Sequence, residues 1–127
     1  MVKEIVLEYA KIQLFTPTLV KVEICGNVII AYKETKAIGD AIGLLSDYKE
    51  ILLLIVADEL AQFDRSANEY SASKEGTQYS IAEAIVIKNL AQKILANFYL
   101  SFNKPLKPTK LFTNEKDALD WLFSVSK

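Results

Sequence analysis

Two periodicities in the apolar residues divide the chain into predicted strands and helices. Apolar and polar residues alternate in Ile5–Leu14, with one slip near Ala10, and again in Val20–Ile24 after a Thr-Pro-Thr turn. A period of two residues is typical of a strand with one buried face, so these segments predict a β-hairpin with a bulge in its first strand. The unbroken apolar run ILLLIVA, Ile51–Ala57, predicts a central strand that is covered on both faces.

The remaining segments predict helices and further strands in alternation. The predicted helices are Lys33–Leu45, Ser66–Lys74, Asn89–Phe102 and a last one that begins at Asn114, and the further strands are Ala84–Ile87 and Lys110–Phe112. Such alternation after an opening hairpin indicates an α/β fold with a mixed central sheet of about five strands and crossover helices. The length of 127 residues is typical of one domain, so we expect a single domain over residues 1–127.

The composition restricts the chemistry that we expect of the chain. Histidine is absent and Cys25 is the single cysteine, which excludes Ser–His and Cys–His nucleophile pairs, cysteine metal clusters and disulfides within the chain. The 15 basic and 16 acidic residues give a net charge of -1, with no excess of positive charge for nucleic-acid or anionic-membrane binding. Catalysis by a lysine, or by carboxylates near Asp58 and Asp64, stays open, but no pattern in the sequence requires it. We expect no enzyme activity, no cofactor, no bound metal and no nucleic-acid partner.

The location of the protein is also predicted from its apolar segments. We expect no secretory signal in the segment MVKEIVLEYA, because no long apolar run follows a basic segment there. The most apolar stretch, Ile51–Ala57, is too short to span a bilayer. We expect a cytoplasmic protein without an integral membrane segment.

Acidic and hydroxyl side chains follow the predicted central strand. Asp58 ends that strand, and the segment FDRSANEY, Phe63–Tyr70, then enters the next predicted helix. Ser66 and Glu69 match the Ser-x-x-Glu capping box, in which the serine accepts a hydrogen bond from a free N–H group of the helix start. A helix start also suits a phosphate, because its N–H groups and its dipole favour negative charge. The sequence is compatible with two roles of Ser66, a structural helix cap and a regulated phosphorylation site.

The predicted helix Asn89–Phe102 is apolar around more than one face. Its main stripe consists of Ala91, Ile94, Leu95, Phe98 and Phe102, and the stripe is widened by Leu90, Tyr99 and Leu100. A helix that is apolar nearly all round is buried or is covered by another molecule. We expect core contacts together with a second apolar surface at Phe98, Tyr99 and Phe102. That surface would form a homodimer contact, a groove for a lipid or another apolar ligand, or a contact with a partner protein.

Three segments, in their order along the chain, resemble one family of proteins. They are ILLLIVAD (Ile51–Asp58), FDRSANEY (Phe63–Tyr70) and NKPLKPTKLFTNEKDALDWL (Asn103–Leu122). Their order and spacing are similar to those of SpoIIAA-like STAS domains, small bacterial proteins of the STAS/SEC14 type. The resemblance implies a STAS-like fold and a regulatory module similar to the anti-sigma-factor antagonists. Its SEC14 part implies, as an alternative, a protein that binds an apolar small molecule or a lipid.

The resemblance also implies roles for single residues. In the antagonists, the motif Asp-Ser-Ser/Thr-Gly carries a serine that a partner kinase phosphorylates. The matching tetrad here has Asp64 and Ser66 in place, whereas Arg65 and Ala67 depart from the motif. Ser66 is thus the expected phosphoacceptor. The residues expected to dock a partner protein, a regulator or a kinase, are Asp58, Asp64, Arg65, Ser66 and Tyr70.

Overall fold

A computed structural model describes residues 3–125 of the protein, apart from the side chains of Tyr99 and Phe102. The strands are β1 (Glu4–Val6), β2 (Ala10–Thr16), β3 (Leu19–Ile24), β4 (Ile29–Ile30), β5 (Ile51–Ala57), β6 (Gln62–Phe63), β7 (Ser80–Val86) and β8 (Thr109–Phe112). The helices are α1 (Tyr32–Leu45), α2 (Arg65–Ala72), α3 (Leu90–Phe102) and α4 (Glu115–Val125). The α/β class that the two periodicities predicted is confirmed.

The main sheet has six strands in the order β1-β2-β3-β5-β7-β8. Strands β1, β2 and β3 are antiparallel, whereas β3, β5, β7 and β8 run parallel. The sheet is therefore mixed, as predicted, and it has six strands where about five were expected. The predicted central strand coincides with β5, which lies between β3 and β7.

The opening segment differs from its prediction. A single strand over Ile5–Leu14 is wrong, because the chain turns back after Val6 and forms two antiparallel strands. The amide of Leu7 donates to the carbonyl of Ala10 at 2.7 Å in this turn, which places Ile5 opposite Ile12. The slip in the alternation near Ala10 thus marks a tight turn rather than a bulge.

The two faces of the sheet carry separate cores. One face, which we call the α1 face, packs Val20, Val22 and Leu53 against residues of α1 such as Ile42. The opposite face, the α4 face, packs residues of β5 and β7 against α4. Its fully or nearly fully buried members are Leu19, Leu52, Leu54, Ala82, Ala84, Val86, Ala118 and Leu122. No helix in the described part of the chain is long and apolar enough to cross a membrane.

A second, two-stranded sheet places the starts of two helices next to each other. Strands β4 and β6 pair in parallel, with Ile30 opposite Phe63, and the amide of Asp64 donates to the carbonyl of Ile30 at 2.9 Å. Strand β4 is followed at once by α1 and β6 by α2. The pairing therefore brings the N-terminal ends of α1 and α2 side by side.

Candidate functional site

Asp64, and not Ser66, is the N-cap of α2. The Asp64 carboxylate accepts hydrogen bonds from the amide of Ala67 at 3.0 Å and from the hydroxyl of Ser66 at 2.7 Å. These bonds, first of all the one from Ser66, lower the pKa of Asp64, so the carboxyl group is ionised at neutral pH. The predicted capping box of Ser66 and Glu69 is wrong, because Glu69 is in an ion pair with Arg65 at 2.8 Å.

Ser66 instead caps the neighbouring helix, α1. The residue at the N-cap position of α1 is Ala31, which has no side-chain oxygen to offer to the helix start. The amide of Tyr32 donates to the Ser66 hydroxyl at 2.9 Å, while the amide of Ala31 donates to the Glu34 carboxylate at 2.9 Å. One exposed hydroxyl therefore joins the starts of α1 and α2. We call the surface formed by Tyr32, Asp64, Arg65, Ser66 and Tyr70 the helix-start junction.

The aromatic part of this junction is a pair of tyrosines. The rings of Tyr32 and Tyr70 meet edge to face, with their centroids 5.1 Å apart. Burial raises the pKa of the Tyr70 hydroxyl well above its usual range, and a hydrogen bond with Glu75 adds to the effect. Tyr70 is therefore neutral at physiological pH, whereas Arg65 of the same helix presents a strongly exposed cation.

Asp58, the remaining residue of the predicted docking set, contacts a different part of the molecule. Its carboxylate accepts from the amide of Leu60 at 3.2 Å, and its carbonyl accepts from the side-chain amide of Gln92 in α3 at 2.8 Å. The structure thus brings four of the five predicted docking residues to one junction and ties Asp58 to the start of α3. Within residues 3–125, no group of three or more Cys, Asp or Glu side chains is placed to hold a metal ion.

The apolar stripe of α3 faces outward. Leu90, Ile94, Leu95 and Phe98 are between 55% and 70% exposed, and the half-buried residues of this helix are Gln92, Ala96 and Leu100. The expectation that this stripe contacts the core is therefore wrong for the members whose side chains the structure describes. Phe98 lies on the outer surface that the sequence indicated, whereas the side chains of Tyr99 and Phe102 fall outside the described part of the structure.

Two open depressions border the start of α3. Their volumes are about 200 and 280 Å³, and Ile87, Lys93 and Thr113 line both of them. Asp117 contributes a charged group to the smaller depression. Pockets that enclose a small organic ligand usually have roughly 300–1,000 Å³ and a mostly apolar lining. Both depressions are smaller than such a pocket and open to solvent.

These features define a mixed α/β domain with a polar junction at two helix starts and one helix whose apolar stripe faces outward. The chain belongs to the family of domains of unknown function DUF7793, whose model matches residues 15–126. Neither a curated protein nor a solved structure matches the chain. The matched range contains every candidate residue, and the similarity to STAS domains stays a prediction.

Proposed function

We propose that this protein is a non-catalytic regulatory module, which docks a partner protein at the helix-start junction and is switched by phosphorylation of Ser66. The observation that carries the proposal is the exposed Ser66 hydroxyl, which is hydrogen-bonded at the same time to Asp64 and to the backbone of Tyr32. The resemblance to anti-sigma-factor antagonists adds support, and the expected partner is a regulator or a kinase. A cytoplasmic location is part of the same proposal.

Phosphorylation would change the junction by simple electrostatics. A phosphoryl group replaces the hydroxyl proton that Ser66 donates to Asp64, and it adds a charge of roughly -1.5 to -2 beside an ionised carboxylate. The nearby N–H groups of two helix starts attract the same phosphate. The modification therefore exchanges a hydrogen bond for repulsion on the Asp64 side while it favours a phosphate on the Tyr32 side. A partner that contacts both helices would therefore bind the phosphorylated and the unphosphorylated protein with different affinity.

The carboxylates of the site support a role without catalysis. An acid–base catalyst needs a carboxyl group within hydrogen-bonding reach of a substrate. The carboxylates of Asp58 and Asp64 instead accept backbone amides of their own loops, at Leu60 and Ala67. Both side chains thus act as local caps that hold the loop and the helix start in place.

The proposal is tested by comparing what variants of the protein retain from cell extract. We expect a partner that the wild type retains to be lost on Ser66→Glu, which mimics the phosphate charge, and on Arg65→Glu, which reverses the most exposed charge of the junction. Ser71→Glu is the matched control, because Ser71 is an exposed serine of the same helix. Mass spectrometry of the wild type should also find phosphate on Ser66.

Two results would count against this function. Retention of the same proteins by Ser66→Glu and Arg65→Glu as by the wild type would exclude the junction as the docking surface. Loss of the partner on Ser71→Glu to the same extent would show a general effect of negative charge on α2. Either result would also remove the reason to assign a switch to Ser66.

A second candidate function, binding of an apolar small molecule or lipid, has one observation in its favour. The exposed stripe at Leu90, Ile94, Leu95 and Phe98 offers apolar surface that a ligand would cover. The small, partly charged depressions beside it offer little enclosure. Organic extraction of the purified protein followed by mass spectrometry tests this candidate, which requires a stoichiometric ligand.

A further inference from the structure

Positive charge is concentrated in the segment that contains α3. Between Glu83 and Glu115 the chain has no acidic residue, and it has five lysines: Lys88, Lys93, Lys104, Lys107 and Lys110. The rest of the chain keeps 10 of the 15 basic residues and all 16 acidic residues, a net charge of -6. The balanced total of -1 therefore conceals a local charge of +5.

Most of this charge is available to a partner. Lys88, Lys93 and Lys104 are exposed, and none of them forms an ion pair with a residue in the described part of the chain. Lys110 is also exposed, but it lies on β8 with its ammonium 5.5 Å from the centre of the Phe112 ring. Lys107 differs, because it is paired with Glu50 at 2.9 Å. Two acidic residues do lie beside the N-terminal end of α3. Asp117 shares a depression with Lys93, and the carbonyl of Glu59 accepts from Asn89.

We propose that α3 and the loop after it form a docking surface for a bilayer that contains anionic lipids. This surface, the α3 surface, consists of the exposed apolar residues Leu90, Ile94, Leu95, Phe98 and Leu106 and the exposed lysines Lys88, Lys93 and Lys104. An amphipathic helix with a stripe of leucine and phenylalanine and with lysine at its borders lies in the plane of a membrane interface. The apolar side chains enter the boundary between headgroups and acyl chains, while the lysines meet lipid phosphates.

The same charges disfavour a second copy of the chain as the occupant. A symmetric dimer brings one patch against itself, so the lysines of one protomer would meet those of the other. Burying such like charges without acidic partners is unfavourable. A nucleic acid fits less well, because Phe98 alone among the described side chains of the α3 surface has a ring on which a base could stack, whereas Leu90 and Ile94 are aliphatic. An anionic bilayer matches both the charge and the apolar stripe.

Vesicle co-sedimentation tests the proposal with the full chain. We expect binding to vesicles of equal parts phosphatidylcholine and phosphatidylglycerol, weak binding to phosphatidylcholine alone, and a decrease with added salt. The double variant Lys93→Glu and Lys104→Glu should lower the affinity by at least about tenfold. The control Lys33→Glu and Lys74→Glu makes the same change of net charge at exposed lysines elsewhere, and it should retain binding.

The apolar part is tested by a second pair of variants. Ile94→Ser with Leu95→Ser should reduce binding, whereas Leu44→Ser with Leu60→Ser, two similarly exposed residues outside the α3 surface, should not. Thermal unfolding checks that each variant is folded, which we expect because all four side chains are exposed. Neither experiment involves Ser66 or a partner protein, so the proposal goes beyond the proposed function and can fail independently of it.

Three outcomes would overturn the proposal that an anionic bilayer binds the α3 surface. Equal binding to both kinds of vesicle would remove the role of the lysines. Absence of binding, together with a dimer that the Ile94→Ser and Leu95→Ser variant dissociates, would assign the α3 surface to a second copy. Loss of binding in the control variants as in the α3 variants would show that the surface is not selective.

Discussion

Helices α3 and α4 have similar amphipathic sequences and opposite orientations toward the sheet. In α4 the apolar residues Ala118 and Leu122 are completely buried against the α4 face. In α3 the corresponding stripe, with Ile94 and Leu95, faces solvent. The difference shows that an apolar stripe identifies the residues that share a face of a helix but not the molecule that covers them.

The strand β7 differs in the same way between its two faces. Its residues Ala82, Ala84 and Val86 belong to the apolar core under α4. On the opposite side it carries Glu83, which lies level with Leu53 of the α1 face and accepts a hydrogen bond from the hydroxyl of Ser80 at 2.9 Å. A buried carboxyl group thus interrupts the apolar surface on the side away from α4. Because this carboxyl group can titrate, the difference between the two faces of β7 depends on pH.

Truncating one leucine in α4 and one in α3 should give the largest difference in stability between two variants. Leu122→Ala removes a fully buried side chain and should lower the free energy of unfolding by about 2–5 kcal/mol. Leu95→Ala, the matched control in α3, should change it by less than about 0.5 kcal/mol, because Leu95 is already exposed. Urea denaturation followed by circular dichroism measures both values. Similar losses in the two variants would mean that α3 packs in solution as α4 does.

Replacement of Glu83 should have the next largest effect, and one that depends on pH. Burial raises the pKa of Glu83 from 4.5 to about 7, although the Ser80 hydrogen bond and the charge of Lys107 act in the opposite direction. The folded protein therefore keeps a proton that the unfolded chain releases from about pH 4.5 upward, so stability falls until the pH exceeds about 7. At about 1.36 kcal/mol per pKa unit, the loss is about 3 kcal/mol.

Glu83→Gln removes this titration while it keeps the shape of the side chain. Relative to the wild type, the variant should gain about 3 kcal/mol in stability between pH 4.5 and pH 8. Urea denaturation at both pH values measures the gain, and Glu59→Gln, at an exposed glutamate, is the control. A difference between Glu83→Gln and wild type that is the same at both pH values would show that Glu83 does not titrate in this range.

The fold was predictable wherever local pattern and burial agree. The run Ile51–Ala57 was located to the residue, because only an interior strand buries both faces of so apolar a segment. The pair β4–β6 was not predicted, because strands of two residues are too short to show a period. The outward orientation of α3 was not predictable from its period either. The cluster of lysines around α3 can be read from the sequence, but the total net charge of -1 does not indicate it.

The candidate site was predictable in position but not in its bonds. The sequence placed Asp64 and Ser66 at a helix start, as the structure has them. It assigned the cap of α2 to Ser66, whereas Asp64 takes that role and leaves the Ser66 hydroxyl to Tyr32, 34 residues away along the chain. A bond between two helices depends on the pairing of β4 with β6, so no local motif reports it.

The smallest of the predicted effects concerns α2. This helix has neither the buried stripe of α4 nor the exposed stripe of α3. Its one fully buried residue is Ala67, and its start is held to α1 by the Ser66 hydroxyl. Ser66→Ala should lower the free energy of unfolding by about 1 kcal/mol and speed hydrogen exchange at the Tyr32 amide, because that amide loses its acceptor. Ser71→Ala, at an exposed serine of the same helix, should change neither. Unchanged exchange at Tyr32 in Ser66→Ala would mean that the apolar contacts of α2 suffice to hold it, and α2 would then resemble α4 rather than stand between α4 and α3.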